Sequence, residues 1–292
     1  MQHESLPVSD LVINWHVTEA CNFRCAYCYA QWERPDNKEV IRDTAATQAL
    51  LHTLRDAFHG NRSRTRLNFA GGEPLLFDRQ VLAAMRFALD LDFEVSLITN
   101  ASRMTRPLVA DLAPMLKVLG ISVDAANDTH NAAIGRADTS GRTTPVDALP
   151  DLIGLARQLN PDLQLKINTV VNAVNWQLDM APLIEKLAPD QWKVLRMLPS
   201  TTRQLEVTET QFRHYIEKHA HLKSIMRVED NDAMVESYIM VDPHGRFFQN
   251  RHDTLGYAYS PPMLGVGARD AFKTIQWSAD KFMARYEPPS AG

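Results

Sequence analysis

Short apolar runs rich in β-branched residues recur along the first two thirds of the chain and predict β-strands. They alternate with polar or helical segments, and their near-continuous apolar character is typical of strands buried on both faces of a parallel sheet. The predicted strands are Leu11 to Val17, Arg66 to Ala70, Glu94 to Thr99, Val118 to Val123, Gln164 to Val171 and Trp192 to Leu198.

Between these runs, apolar residues recur at helical spacing. In Thr44 to Phe58 the side chains of Leu50, Leu54 and Phe58 share one face, and Gly60 follows as a stop signal. Strand and helix therefore alternate, which predicts an α/β fold: a partial (βα)6 TIM barrel with right-handed crossovers and its active site at the C-terminal strand ends. The other predicted helices are Arg79 to Leu89, Arg106 to Leu116, Val146 to Leu159 and Leu178 to Leu187.

The pattern changes after Leu198. A helix is predicted over Glu209 to His219, and a hairpin over Glu236 to Phe248 that turns at Pro243-His244-Gly245. We therefore predict three segments: an N-terminal extension over 1–10, the partial barrel over 11–198, and a C-terminal α/β cap over 199–292 that covers the active site.

Composition and charge exclude several classes of protein. A hydrophobic fraction of 45% with 23% charged residues is that of a soluble globular protein, and a formal net charge of −4 gives no general attraction to nucleic acid. Met1 to Asp10 is polar, and no apolar run is long enough to span a bilayer. We expect a cytoplasmic protein with no membrane contact and no direct nucleic-acid partner.

The cysteines give the first chemical signal. Cys21, Cys25 and Cys28 are the chain's 3 cysteines, and they follow the first predicted strand closely. This spacing excludes a disulfide framework and places three thiolates around one centre, as metal or iron–sulfur binding requires. A structural zinc site with His16 as fourth ligand is the alternative. A four-iron cluster on three thiolates leaves one iron open to a ligand.

Two motifs are recognisable. The Cys-x3-Cys-x2-Cys pattern, with Tyr27 before the last cysteine, resembles the signature of the radical S-adenosylmethionine enzymes, and Gly71-Gly72-Glu73-Pro74 resembles their strand-end GGEP motif. The resemblance implies a [4Fe-4S] cluster and S-adenosylmethionine as cofactors, with Arg136 expected to pair with the methionine carboxylate. The cofactor-binding residues it implies are Gly71, Gly72, Asn100, Ser122 and Arg136, beside the cluster ligands Cys21, Cys25 and Cys28.

A closer resemblance, to the viperin family, covers most of Leu11 to Tyr286. It implies dehydration of a ribonucleoside triphosphate: a 5′-deoxyadenosyl radical removes the ribose 4′ hydrogen, the 3′-hydroxyl leaves as water, and the 3′-deoxy-3′,4′-didehydro product terminates viral RNA synthesis. CTP, UTP and GTP all stay open as substrates, and the electron donor is expected to be a flavodoxin or ferredoxin. The stretches that carry it are Asn14 to Thr18, Ile121 to Asp124, Ile134 to Arg136, Leu165 to Asn172, Trp192 to Leu195 and Glu236 to Asp242.

A triphosphate carries about four negative charges, so cationic side chains are needed at the barrel mouth. Lys166 alternates with Asn168 in an apolar strand, so both side chains should share one face, and a buried lysine needs an anion. Lys193 matches a phosphate-binding lysine of the viperin family. Arg66 stands at another of its lysine positions, and Gln191 replaces an arginine, which puts one phosphate contact in doubt.

Asn14 and Tyr238 match positions that contact the nucleotide in that family. No residue is assigned to acid–base catalysis. Two alternatives stay open: a radical S-adenosylmethionine enzyme that acts on a peptide or another small metabolite, and a non-catalytic zinc- or cluster-binding module. The chain has no further cysteines with which a C-terminal extension could hold the additional clusters common in peptide-modifying relatives.

Overall fold

The structure is a computed structural model that describes residues 10–35, 38–58, 64–251 and 254–285. Its strands are β1 (Asp10–His16), β2 (Arg64–Ala70), β3 (Glu94–Thr99), β4 (Leu116–Ser122), β5 (Gln164–Val171), β6 (Gln191–Arg196), β7 (Met226–Glu229), β8 (Ile239–Val241), β9 (Phe248–Asn250) and β10 (Tyr257–Tyr259). Its α-helices are α1 (Thr44–Phe58), α2 (Asp78–Asp90), α3 (Arg106–Leu112), α4 (Asp128–Ile134), α5 (Leu149–Leu159), α6 (Ala181–Leu187), α7 (Glu209–Lys218), α8 (Met263–Val266), α9 (Ala268–Phe272) and α10 (Ala279–Ala284).

Contacts divide the chain into two units. The first unit comprises the described residues of Met1–Glu19, Trp32–Ser96 and Val235–Gly292, and the second comprises Ala20–Gln31 and Leu97–Met234. The predicted boundaries at 10 and 198 stay a prediction. Residues 1–9 of the predicted N-terminal extension, Gly60, and residues 286–292 of the predicted cap lie outside the described residues.

The first unit is built on β1. This strand pairs in parallel with β2 on one side and with β8 on the other, and the first residues of β3 lie beyond β2. The predicted apolar face of α1 is buried, as are Trp15 of β1 and Phe69 of β2, whose rings lie in contact. Strand β8 supplies a parallel partner from the C-terminal part of the chain, which the sequence pattern did not predict.

The second unit continues the alternation of strand and helix. Strands β4, β5, β6 and β7 pair in parallel in that order. Trp192 of β6 and Tyr215 of α7 are fully buried, and their ring centroids lie 6.1 Å apart. Strand β7 is not among the six predicted strands, and its place beside β6 extends the predicted sheet by one parallel strand.

The predicted elements and the observed ones agree closely. All six predicted strands are present, and α1 has the predicted bounds. The predicted helix Leu178 to Leu187 was too long: α6 begins at Ala181, because Pro182 has no backbone N–H to donate and favours the first turn of a helix. The predicted helix Arg106 to Leu116 was also too long, since α3 ends at Leu112 and β4 begins at Leu116.

The predicted turn at Pro243-His244-Gly245 is confirmed. Asp242 and Arg246 close it through a backbone hydrogen bond of 2.9 Å, and Gly245 adopts a positive φ of 74°, which glycine adopts at little cost. An antiparallel bridge joins Val241 and Phe247 across the turn. The C-terminal part of the first unit thus adds β8 beside β1 and then folds back into β9 and β10.

Candidate functional site

The three cysteines lie on one loop of the second unit and are all half-buried. The backbone N–H groups of Phe23 and Ala30 point at the Sγ atoms of Cys21 and Cys28, each at 3.4 Å. Burial raises the pKa of the Cys25 thiol to about 12, and the neighbouring thiols of Cys28 and Cys21 raise it as well. Three mutually interacting thiols on one loop suit an iron–sulfur cluster, which takes thiolate ligands.

Helix α4 holds this cysteine loop. Its last carbonyls accept hydrogen bonds from the loop: Arg24 N–H donates to the Gly135 carbonyl at 2.9 Å, and Ala26 N–H donates to the Ile134 carbonyl at 3.0 Å. Gly135 has a φ of 85°, and a Cβ there would lie 2.2 Å from the Arg24 carbonyl oxygen. Helix α4 is not among the predicted helices, although Asn127 at its N-cap and Gly135 at its end are the usual boundary signals.

A buried ion pair stands behind the loop. Arg136, directly after Gly135, lies 3.4 Å from the Asp124 carboxylate, and the two side chains are 4% and 1% exposed. The Tyr27 hydroxyl donates a hydrogen bond to the same carboxylate. Arg136 also donates to the Ser122 carbonyl at 2.6 Å. Tyr27, Asp124 and Arg136 therefore form one network, which ties the residue before Cys28 to the end of β4.

The pairing of Arg136 with the methionine carboxylate, which the family resemblance implies, stays a prediction. The network engages both terminal nitrogens of its guanidinium, but within the described part of the chain its Nε is buried and has no hydrogen-bond partner. A buried N–H without an acceptor is costly, so a ligand carboxylate would gain by meeting it. Asp124, to which the sequence pattern assigned no role, pairs with this guanidinium.

Asn100 and Ser122 lie in the same part of the second unit. The Asn100 amide reaches the Cys21 Sγ at 3.8 Å and donates to the Asn22 side chain at 3.1 Å. Ser102 donates its backbone N–H to the Asn100 side-chain oxygen at 2.9 Å. The side chain of Asn100 thus contacts the cysteine loop. Ser122 contributes only its backbone carbonyl, which accepts the hydrogen bond from Arg136.

In the first unit, the Gly-Gly motif follows β2. Gly72 N–H donates to the Thr18 carbonyl at 2.7 Å, and a Cβ on Gly71 would lie 2.6 Å from that same oxygen. Glu73 is fully buried, and its carboxylate accepts the Leu75 N–H at 3.0 Å. The glycines therefore allow a close approach by the chain's own backbone at the end of β1, and their predicted contact with S-adenosylmethionine stays a prediction.

Polar side chains also cross the sheet of the first unit. Asn14 and Asn68 are register partners on β1 and β2, and the Asn68 amide donates to the Asn14 oxygen at 2.9 Å. Ser96 donates to Asn68 at 2.9 Å, and Asn14 donates to the Ile239 carbonyl of β8 at 3.3 Å. These hydrogen bonds fix the orientation of the Asn14 side chain, which is one of the predicted nucleotide contacts.

Two further predicted contacts belong to the first unit. Arg66 lies two residues before Asn68 on β2, and its Nε is buried without a hydrogen-bond partner among the residues that the structure describes. Tyr238 directly precedes β8, and the Arg285 guanidinium lies 3.3 Å from the centre of its ring. No sequence motif indicates Arg285, which follows α10 and reaches Tyr238 from a distant part of the chain.

The second unit brings the other predicted substrate residues together on β5 and β6. Asn168 and Lys193 are register partners, as are Lys166 and Gln191. Lys193 is buried, and its Nζ lies 2.7 Å from the Glu229 carboxylate on β7. The expectation of a buried lysine that needs an anion concerned Lys166, which is only half-buried. The buried lysine that meets an anion is Lys193. Glu229 was missed because β7 was not predicted.

The arrangement therefore groups the predicted residues as follows. In the second unit, the three cysteines share their surroundings with Asn100 and Arg136, and Lys193 stands beside Asn168. In the first unit, Asn14 is joined to the next strand by hydrogen bonds. Among the described helices, none is both long and apolar enough to cross a membrane. Within the same described ranges, no three His, Cys, Asp or Glu side chains are arranged so that they could together hold a single metal ion.

The family of the chain is indicated by its matches to known proteins. Residues 15–149 match the radical SAM superfamily. The chain is 38% identical, over 98% of its length and 96% of the relative's, to the S-adenosylmethionine-dependent nucleotide dehydratase of Pseudoalteromonas ulvae. It is 36% identical, over 99% and 98% of the two chains, to the protein of that name from Psychrobacter lutiphocae.

A solved structure of similar fold is native anSMEcpe with bound AdoMet. The TM-score is 0.66 at 13% sequence identity, over 94% of this chain and 82% of that one. At this identity the likeness concerns the fold alone. It confirms the predicted fold class, an α/β partial barrel of the radical S-adenosylmethionine type.

Proposed function

We propose, from the premise that the chain belongs to the family of S-adenosylmethionine-dependent nucleotide dehydratases, that it removes water from a ribonucleoside triphosphate. The product would be the 3′-deoxy-3′,4′-didehydro nucleotide, and the biological role would be the supply of an antiviral chain terminator. The observation that supports a nucleotide substrate most directly is the buried, ion-paired Lys193 beside Asn168, a site suited to an anionic group.

The cofactors fit the residues of the second unit. Cys21, Cys25 and Cys28 would hold the [4Fe-4S] cluster, because they are thiols of one loop that lie close enough to influence each other's ionisation. When bound, the cluster and S-adenosylmethionine supply the one-electron chemistry that removes a hydrogen atom from the ribose. The buried Arg136 would bind the methionine carboxylate through its Nε.

The chain's own residues would orient the reactants. Asp124 and Tyr27 hold Arg136 in place, so little conformational entropy is lost when a carboxylate binds. Lys193 and Lys166 would hold the phosphates, and the amide of Asn168 would position the part of the nucleotide next to them. We propose further nucleotide contacts at positions that match nucleotide-binding positions of the viperin family: Asn14, Arg66 and Tyr238.

Two accompanying assignments are proposals of the same kind. The electron would come from a flavodoxin or ferredoxin, and the enzyme would work in the cytoplasm. The segment over 199–292 would act as the cap of the active site. Asp242 and Arg246, both buried and 2.6 Å apart, stiffen the turn within that segment.

An anaerobic assay tests the function. Cluster-reconstituted protein is mixed with dithionite, S-adenosylmethionine and one of the four ribonucleoside triphosphates, and the products are measured by mass spectrometry. We expect 5′-deoxyadenosine to rise with one triphosphate, together with a product lighter by one water. Equal slow formation of 5′-deoxyadenosine with all four, and no nucleotide consumed, would contradict a nucleotide substrate and favour a peptide or another metabolite.

A further inference from the structure

The second unit contains a buried ion pair between Lys193, a proposed phosphate-binding residue, and Glu229, to which the proposed function gives no role. Lys193 on β6 and Glu229 on β7 approach to 2.7 Å, and their side chains are only 7% and 9% exposed. Glu229 lies two residues beyond Arg227, the register partner of Lys193. Removal of one partner of such a pair strongly destabilises the folded protein, because the other charge stays buried without compensation.

Polar capacity for a ligand remains beside this pair. Asn168, the register partner of Lys193 on β5, is 9% exposed, and within the described residues its Oδ1 is buried and has no hydrogen-bond partner. Buried amide oxygens are almost always satisfied in folded proteins, so an unsatisfied one next to a buried ammonium group indicates a place where a polar ligand binds.

We infer that Glu229 competes with the phosphates of the nucleotide for Lys193. This inference rests on the proposed function, in which Lys193 binds phosphate. In the protein without nucleotide, Glu229 neutralises the ammonium group and keeps it oriented. When the nucleotide binds, its phosphate takes the place of the carboxylate, and the ion pair must be broken for the new one to form.

The competition has a thermodynamic consequence. An interaction that stabilises the ligand-free protein more than it stabilises the complex weakens binding. The loss in binding free energy equals the difference between the two stabilisations. The Lys193–Glu229 pair is such an interaction, and the negative charge of Glu229 also repels an approaching phosphate. Glu229 would thereby restrict the site to highly charged ligands, because a weakly charged anion gains too little from Lys193 to displace it.

Inorganic tripolyphosphate tests this inference, since it carries the anionic part of the ligand alone. Cluster-loaded full-length protein is titrated with tripolyphosphate, and the dissociation constant is taken from the shift in melting temperature. We expect Glu229→Gln to lower that constant by about fivefold relative to the native chain, the equivalent of one weakened ion pair. Lys193→Met is expected to raise it by at least as much.

Glu209→Gln is the matched control. Glu209 pairs with Arg213 in the exposed part of α7, so the same change there should leave the tripolyphosphate constant unaltered. Glu229→Ala is the second variant for the buried carboxylate. It removes the same charge, and it decides the question if Glu229→Gln melts before a titration can be completed.

The outcomes separate the inference from the proposed function. Tripolyphosphate binding that is weakened or unchanged in both Glu229 variants would overturn the competition, and weakened binding would instead make Glu229 a positioning residue that supports the phosphate site. An unchanged tripolyphosphate dissociation constant in Lys193→Met would also overturn the competition. It would show in addition that Lys193 does not belong to the phosphate site. The nucleotide dehydratase function itself fails only if the mass-spectrometric assay gives no dehydrated nucleotide.

Discussion

Two regions of the second unit supply different parts of the proposed chemistry and are built in different ways. The proposed cluster ligands of the cysteine loop lie within eight consecutive residues, 21–28, and the loop's backbone is hydrogen-bonded to the end of α4. The phosphate row consists of Lys166, Asn168 and Lys193, which come from two strands, and the counter-ion of Lys193 comes from a third. The loop is fixed before a ligand arrives, whereas the row contains a pair that a ligand can exchange.

The largest expected effect is on the loop. Cys25→Ala removes one of three ligands, so the protein should bind almost no iron and form no 5′-deoxyadenosine, while the chain still folds. Iron content per protein and the visible absorption of the reconstituted sample measure this. Ser140→Ala, an exposed hydroxyl outside the loop, serves as control. Normal iron content in Cys25→Ala would contradict the ligand assignment.

Gly135→Ala tests whether the loop needs its attachment to α4. The new methyl group would meet the Arg24 carbonyl oxygen at 2.2 Å and would sit at a φ of 85°, so we expect a loss of about 1–3 kcal/mol in stability and several-fold lower iron content. Chemical denaturation and iron analysis provide the two measurements.

The matched control for that variant is Gly141→Ala. Gly141 also has a positive φ, of 79°, but nothing lies within 4 Å of a Cβ built there. The backbone strain is therefore similar, and the clash with the cysteine loop is absent. If both variants lost the same amount of iron, the attachment to α4 would not be what holds the loop in its binding geometry.

The phosphate row should respond differently. Lys193→Met keeps much of the side chain's volume but removes its charge, so we expect the KM for the nucleotide to rise by about tenfold, with kcat and iron content nearly unchanged. Lys273→Met, on the exposed surface of the first unit, is the control. A fall in kcat with an unaltered KM would show that Lys193 does not act through ground-state binding of the phosphates.

The same contrast explains what the sequence could and could not predict. The cysteine loop and the Gly-Gly motif are local patterns, and the strands that carry them were predicted within two residues at each end. Glu229 and Arg285 could not be found in this way, because their partners Lys193 and Tyr238 are distant in sequence and meet them only through the packing of β7 and α10. Asp124 lies in a stretch that resembles the family, but its ion pair with Arg136 depends on where α4 ends, which the sequence pattern did not predict.

The smallest expected effect concerns a single hydrogen bond that also reaches the cysteine loop. The Thr201 hydroxyl, beyond the end of β6, donates to the Cys28 carbonyl at 2.9 Å. Thr201→Val removes this donor at nearly constant volume, so we expect a loss of about 0.5–1.5 kcal/mol in stability and at most a twofold fall in iron content. If iron content fell as far as in Gly135→Ala, the loop would depend on this side as much as on α4, and its geometry would be set jointly by the segment after β6. A negligible change would mean that α4 and the Asp124–Arg136 pair fix the geometry of the cysteine loop, with no contribution from the segment after β6.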